Sequence, residues 1–392
     1  MQNWQLIRDG KMSSETFVQR ARILDLMREW FRKQEFLEVE TPLMLKYPGM
    51  EPHLNLFSSE FVSEDGKYMD KRFLHTSPEY GMKKLLGAGF ERIYQIGKVF
   101  RNGEVTLQTT PCLSSIAKGT EEQEKEESDT FQMEIGIQNS RHNPEFTMLE
   151  WYRTNADYND IMDDCESMIK YVSRELGVGS REHQKKLDVE WERLTVRDAF
   201  QRYADMDLDE LKNIDDLRNA VEAKGYEMNT EYTWDDLFFL VLLNEIEPQL
   251  GKEKPQFLID YPATQAALAK KKAHTCEKHE NGNHFCETEG YLERCEAEWA
   301  ERFELYINGI ELCNAFTELV DPEEQRERLL NEKNLRDSME KEPYGIDEAF
   351  LEALETMPPS GGNALGIDRL VMVLLGKKSI EEVLLFPWRD VS

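Results

Sequence analysis

The stretch Arg141-His142-Asn143-Pro144-Glu145-Phe146-Thr147-Met148-Leu149-Glu150-Trp151-Tyr152 decides how this chain is read. A polar, proline-broken lead-in gives way at Phe146 to a run of aromatic and bulky apolar residues, the composition of a strand. Set into that run are a carboxylate and a phenol, Glu150 and Tyr152.

Working outward, residues from about 105 to 140 break the pattern. The run Glu121-Glu122-Gln123-Glu124-Lys125-Glu126-Glu127 has almost no apolar content and reads as a solvated excursion. Before it, 73–75 and 93–100 read as strands with a helix over 80–87 between them. The segment 36–42 reads as a short alternating strand stopped by Pro42. Further upstream, Phe17, Val18, Ala21, Leu24, Met27 and Phe31 recur at three- and four-residue steps, predicting an amphipathic helix over 14–32 with Ser14 as N-cap.

After Tyr152 the pattern is mostly helical over 158–176 and 196–250. Strands return at 302–310 and 313–319. A helix near 346–355, a turn at Pro358-Pro359-Ser360-Gly361-Gly362 and a long helix from about Gly366 close the chain. Strands separated by irregular helices and hairpins, without a βαβ rhythm, predict an α+β domain: an antiparallel β-sheet flanked by helices. The expected organisation is one catalytic domain over 1–392, with insertions at about 105–140 and 270–295.

A length of 392 residues with 40% hydrophobic and 10% aromatic content suits a packed core. No stretch approaches the ~20 apolar residues that span a bilayer. The start, Met1-Gln2-Asn3-Trp4, does not read as a signal peptide, and six scattered Cys fit a reducing, cytoplasmic setting. The formal net charge of −29 repels phosphate backbones and argues against non-specific nucleic-acid binding. Lys83, Lys84, Arg92, Lys98 and Arg101 cluster against that trend. Taken singly each reads as a solvated surface charge; together they form a basic patch for ATP or a partner. The stretch 270–295 gathers His274, Cys276, His279, His284, Cys286 and Cys295, a spacing loosely compatible with zinc but without a C-x-x-C pair.

Three segments make chemical sense around a nucleotide. Phe100-Arg101-Asn102 ends a strand, and an arginine fixed there neutralises charge on a transferring phosphoryl group. Phe146, on the returning strand, forms one wall of a slot for adenine. Glu304 and Glu311, seven apart on a strand pair, are hard carboxylates of the kind that hold Mg²⁺ through its water shell. Gly361-Gly362-Asn363-Ala364-Leu365-Gly366-Ile367-Asp368-Arg369 places glycines before a helix, where Arg369 can stack on the other adenine face.

Together these segments resemble the class II aminoacyl-tRNA synthetases, specifically the lysine group. The strand ending at Pro42 looks like motif 1, Phe100-Arg101 through Phe146 like motif 2, and Gly366-Ile367-Asp368-Arg369 like motif 3. Lysine-group signatures are Thr76-Ser77-Pro78-Glu79-Tyr80, Arg141 through Glu150, and Glu311-Leu312-Cys313-Asn314-Ala315-Phe316-Thr317-Glu318-Leu319. The resemblance implies ATP and Mg²⁺ as cofactors and a homodimer built on motif 1. It implies that Glu79, with Ser77 and Pro78, binds the substrate amino group. Arg101 and Asn314 would bind the reacting carboxylate and α-phosphate. Phe146 and Arg369 would sandwich adenine, with Asn102, Glu104, His142, Asn143, Leu312 and Gly366 nearby. Glu304 and Glu311 would hold Mg²⁺, and Glu150, Tyr152 and Glu318 would line the side-chain pocket beside Ala364.

Within the group the nearest pattern is the truncated paralog that attaches (R)-β-lysine to a lysine of elongation factor P. On this reading motif 1 ends at Pro42, and no anticodon-binding domain is expected before it. Glu150-Trp151-Tyr152-Arg153, Gly251-Lys252-Glu253-Lys254-Pro255 and Ala364, where lysyl-tRNA synthetases carry glycine, match that paralog. The expectation is activation of lysine or (R)-β-lysine and transfer to elongation factor P, with tRNA disfavoured and no membrane partner. The alternatives are a compact lysyl-tRNA synthetase and a silent dimeric regulator. One departure stands in motif 2: Arg101-Asn102-Gly103-Glu104 displaces the usual acid by one position.

Overall fold

Alternation along the central strands divides the molecule into a dry face and a site face. The computed structural model describes residues 2–103, 141–177, 185–272, 279–280, 283–288, 291–294 and 299–391. Its strands are β1 (Leu37–Glu38), β2 (Met44–Leu45), β3 (Ser58–Val62), β4 (Met69–Leu74), β5 (Arg92–Phe100), β6 (Glu145–Thr154) and β7 (Glu192–Thr195). They continue with β8 (Gln256–Pro262), β9 (His279–Glu280), β10 (Asn283–Thr288), β11 (Tyr291–Arg294), β12 (Trp299–Ile307), β13 (Ile310–Thr317) and β14 (Ser360–Gly366). The helices are α1 (Asn3–Arg8), α2 (Glu15–Lys33), α3 (Glu79–Gly87), α4 (Tyr158–Leu176), α5 (Val196–Ala204) and α6 (Ile214–Ala223). Then follow α7 (Trp234–Val241), α8 (Pro322–Ser338), α9 (Glu348–Leu354), α10 (Ile367–Leu374) and α11 (Trp388–Val391).

Eight strands form one sheet in the order β1-β5-β6-β14-β13-β12-β8-β7. Its centre is antiparallel, as the sequence predicts, while the edge pairs β1·β5 and β7·β8 run parallel. The β12–β13 hairpin turns through Asn308-Gly309, both at positive φ, which matches the twist of the strands it joins. Trp151, Leu149, Leu305, Phe303, Ala315 and Leu365 point to one face and pack against α2, α4 and α10. The residues between them point the other way. In register across the sheet, Glu304, Asn314, Ala364, Glu150 and Gln95 form a row on that second face.

Several expectations change in detail. The strand predicted over 36–42 is reduced to β1, because Thr41 donates its N–H to the Gln95 side chain (2.8 Å) instead of joining the ladder. Helix α2 forms where predicted, but its inward stripe is Ile23, Leu26, Met27, Trp30 and Phe31, with Val18 exposed. Ser14 occupies the N-cap position without a side-chain cap bond. Of the turn predicted at 358–362, residues 360–362 instead open β14, wedged between β6 and β13. The helix after it is short, since the chain turns left-handed at Gly376 (φ 64°) just past α10.

Helices α5, α6 and α7 build a second core against β8. Helices α3, α8 and α9 build a third beneath the site face. No helix among the described residues is long and apolar enough to cross a membrane. The acidic excursion, Glu104, His274, Cys276 and Cys295 lie outside the described residues, and the zinc expectation lies there with them.

Candidate active site

A cavity of ≈ 340 Å³ opens on the site face. It brings together Arg101, His142, Asn143, Phe146, Glu304, Glu311, Leu312, Asn314, Ala364, Gly366 and Arg369 from distant parts of the sequence. Arg101, at the end of β5, lies over the Phe146 ring with its guanidinium carbon 5.3 Å from the centroid. Arg369, on the first turn of α10, donates to the Glu311 carbonyl (2.9 Å) and to its carboxylate (3.1 Å). It also reaches the Arg141 carbonyl at 3.3 Å and His142 Nε2 at 3.4 Å.

Two predicted nucleotide residues have structural duties. Asn143 donates to the Glu145 carbonyl (2.6 Å) and accepts from the Trp388 N–H (2.8 Å), bracing its loop against α11. Asn102 bridges to Asn55 and does not line the cavity.

The paired acids stand on the β12–β13 hairpin. Glu304 accepts from the Tyr261 and Tyr306 hydroxyls (2.6 and 2.7 Å) and from Arg302 (2.7 Å). Burial pushes its carboxyl up; Arg302 opposes this and Glu311 adds to it. Glu247, a third acid that sequence reasoning missed, is raised by burial and then by Glu311 and Glu304. Such mutual repulsion among hard oxygen ligands fits a divalent cation. No group of three or more metal-type ligands converges among the described residues. Mg²⁺ needs only one or two carboxylates, because it keeps several waters.

The residues expected to meet the amino acid lie beside this cavity, further along the same face. Glu150 accepts from Ser77 Oγ (2.6 Å) and the Tyr152 hydroxyl (2.9 Å). Pro78 occupies the N-cap position of α3, and the Ser77 hydroxyl also accepts from the Glu79 N–H (3.0 Å). Burial pushes the Glu150 carboxyl up to about 8, with Glu79 adding and Ser77, Tyr152 and Lys83 opposing. Glu318 is likewise pushed up to about 8 by burial, against the pull of Lys83. For Lys83 the balance is reversed: burial disfavours its charge, and Glu318 and Glu79 more than restore it.

The structure therefore overturns the reading of Lys83 as a solvated charge, since its side chain is 0% exposed. The signal was present: Tyr80, Lys83 and Leu86 recur at three-residue steps on the buried side of α3. Arg302 was missed although it stands two residues before Glu304 on the same strand face. Glu51 also lines the cavity and accepts from Thr76 Oγ1 (2.7 Å). It sits in an irregular segment, where no periodicity marks it.

The chain belongs to the class II tRNA synthetases (D, K and N), whose family model matches residues 2–112 and 131–390. Within that class its relatives include the lysine–tRNA ligase of Clostridium tetani (strain Massachusetts / E88), 32% identical over 381 residues. That match covers 95% of this chain and 64% of the relative. The lysine–tRNA ligase of Moorella thermoacetica is 34% identical over 378 residues, covering 95% of this chain and 65% of the relative. The lysine–tRNA ligase of Staphylococcus saprophyticus is 33% identical over 384 residues, covering 96% and 65%. The chain thus spans about two thirds of the length of these relatives, a little under it in each case.

Proposed function

We propose that this protein activates lysine or (R)-β-lysine as its adenylate and transfers it to a lysine of elongation factor P. The observation that carries the first half is the buried pair Glu150 and Glu318 beside Tyr152, with the partly exposed Glu79 next to them, on the same sheet face as Arg101. Carboxylates that dry ionise readily only opposite cations, and a lysine-like substrate supplies them.

In the first step a substrate carboxylate oxygen attacks the α-phosphorus of ATP and pyrophosphate leaves. Arg101 faces the negative charge that accumulates there, and Arg369 with Phe146 would flank the adenine. Glu304 and Glu311 would hold Mg²⁺, whose chemistry when bound is to neutralise the phosphates. In the second step an acceptor amine attacks the adenylate carbonyl and AMP leaves. No protein nucleophile is required.

One feature supports the choice of acceptor and another the choice of amino-acid isomer. A formal net charge of −29 disfavours a polyanionic RNA. Ala364 pairs in register with both Asn314 and Glu150, so its methyl stands between the carboxylate end and the ammonium end of the pocket. One methyl shifts selectivity by about 1–3 kcal/mol, enough to re-rank α- and β-amino isomers. A homodimer through the β1 region is supported by exposed Leu37, Leu43 and Met44.

The test supplies ATP and labelled lysine or (R)-β-lysine, with elongation factor P and tRNA offered separately. Label on elongation factor P is expected. Label on tRNA alone would assign the chain to tRNA charging instead.

A further inference from the structure

Lys83 occupies a position where the period of α3 calls for an apolar residue. Its Nζ lies 2.5 Å from Glu79 Oε1 and 2.6 Å from Glu318 Oε2. Phenylalanine rings close the remaining sides, Phe316 at 5.4 Å and Phe350 at 5.8 Å. These two carboxylates are the ones that the family resemblance gives to opposite ends of the substrate. Glu79 would take the amino group near the reacting carboxylate, and Glu318 the side-chain ammonium. One buried cation therefore ties together both recognition groups.

Glu318 Oε2 takes the Lys83 ammonium at 2.6 Å, and Oε1 has no hydrogen-bond donor among the described residues. A buried carboxylate in that condition keeps acceptor capacity for a further donor. Gly362 preserves the space beside it: a Cβ there would meet Tyr152 Cε1 at 2.3 Å and Glu318 Oε1 at 2.4 Å.

The charges can be counted. Glu79, Glu150 and Glu318 bring three negative charges when ionised, and Lys83 offsets one. Two remain, which matches the two ammonium groups of a lysine-like amino acid. An amino acid with a single ammonium leaves one carboxyl to keep its proton and forgoes that ion pair.

We propose that Lys83 is a positioning residue that fixes the spacing of Glu79 and Glu318, so that the pocket selects a diammonium amino acid of lysine length. This rests on the adenylation reading and deepens it. It also implies that the two ends of the pocket are coupled, since a change at Glu79 alters how fully Lys83 neutralises Glu318.

The test begins with lysine-dependent ATP–pyrophosphate exchange by the wild-type protein; its absence would defeat the adenylation reading, separately from the role of Lys83. In Lys83→Met the KM for lysine is expected to rise at least about tenfold, with the KM for ATP within about twofold. The preference for lysine over ornithine, one methylene shorter, should narrow. A fall in kcat alone, with both KM values and the preference unchanged, would overturn the proposal.

A second variant decides the matter even where Lys83→Met does not fold. Glu79→Gln is nearly isosteric, and 6-aminohexanoate lacks the amino group that Glu79 would meet. Calorimetry should show its Kd weakened at least about threefold in Glu79→Gln, with a narrower preference over 5-aminopentanoate. An unchanged Kd and preference would show that the ends are independent, and the proposal would fail.

Discussion

The amino-acid half and the nucleotide half of the site use the same residue types, Glu with Lys or Arg, in opposite surroundings. Glu318 and Lys83 pair with both side chains 0% exposed, whereas Arg369 and Glu311 pair at 21% and 35%. In the dry half each charge is held by specific partners, and an unmatched one persists as a raised carboxyl. At the Arg369–Glu311 pair, unlike the largely buried Arg302–Glu304 pair in the same half, water screens the charges, so that arginine can exchange a carboxylate for a phosphate at little expense. The dry half is thus suited to selection and the wet half to a charge that moves during reaction.

That contrast can be broken most forcefully at Arg101. Arg101→Ala should lower kcat for pyrophosphate exchange by about 10²–10³-fold, the effect of removing one group that faces developing charge. An unaltered kcat would remove the nucleotide half from the chemistry. Gly362→Ala should strike the other half. Its methyl is forced onto Tyr152 and Glu318, so the KM for lysine should rise at least about tenfold while ATP binding, measured by calorimetry, stays near wild type.

A pH series separates the halves without mutation. Glu150 and Glu318 are both raised from 4.5 to about 8, so the folded protein keeps protons there that the unfolded chain has released. Their contribution to stability is fully present below about pH 4.5 and is lost as pH rises toward 8. A diammonium ligand binds the ionised form and releases those protons. Lysine should therefore bind more tightly at pH 8 than at pH 6, by up to about tenfold per unit for each proton released. The thermal shift it produces should grow accordingly, and a flat series would contradict the dry-pocket account. The smallest effect is expected for Glu247→Gln, a few-fold change in the Mg²⁺ concentration that half-saturates exchange.

How far the sequence could be read follows from the same contrast. Placement that is written in local pattern was legible: Glu150 and Tyr152 alternate on β6, and Glu304 and Glu311 bracket a hairpin. The α+β sheet followed from its strands, although its parallel edges depend on long crossovers that no local signal marks. The glycines at 361 and 362 misled, because a glycine admitting close approach inside a sheet looks the same in sequence as one in a turn. Lys83 was hidden by its own charge and by its neighbour Lys84, which is half-buried and pairs with Asp347. Only the pattern of Tyr80 and Leu86 around it marks the position as inward.

The central claim is that a buried carboxylate set selects a diammonium amino acid for adenylation. It is tested most directly by amino-acid-dependent exchange of labelled pyrophosphate into ATP, comparing lysine and (R)-β-lysine with norleucine, which matches lysine in length and lacks its side-chain ammonium. Exchange with lysine or (R)-β-lysine and at most about a thousandth of that rate with norleucine is predicted. Equal exchange with norleucine, or none with any of the three, would contradict it.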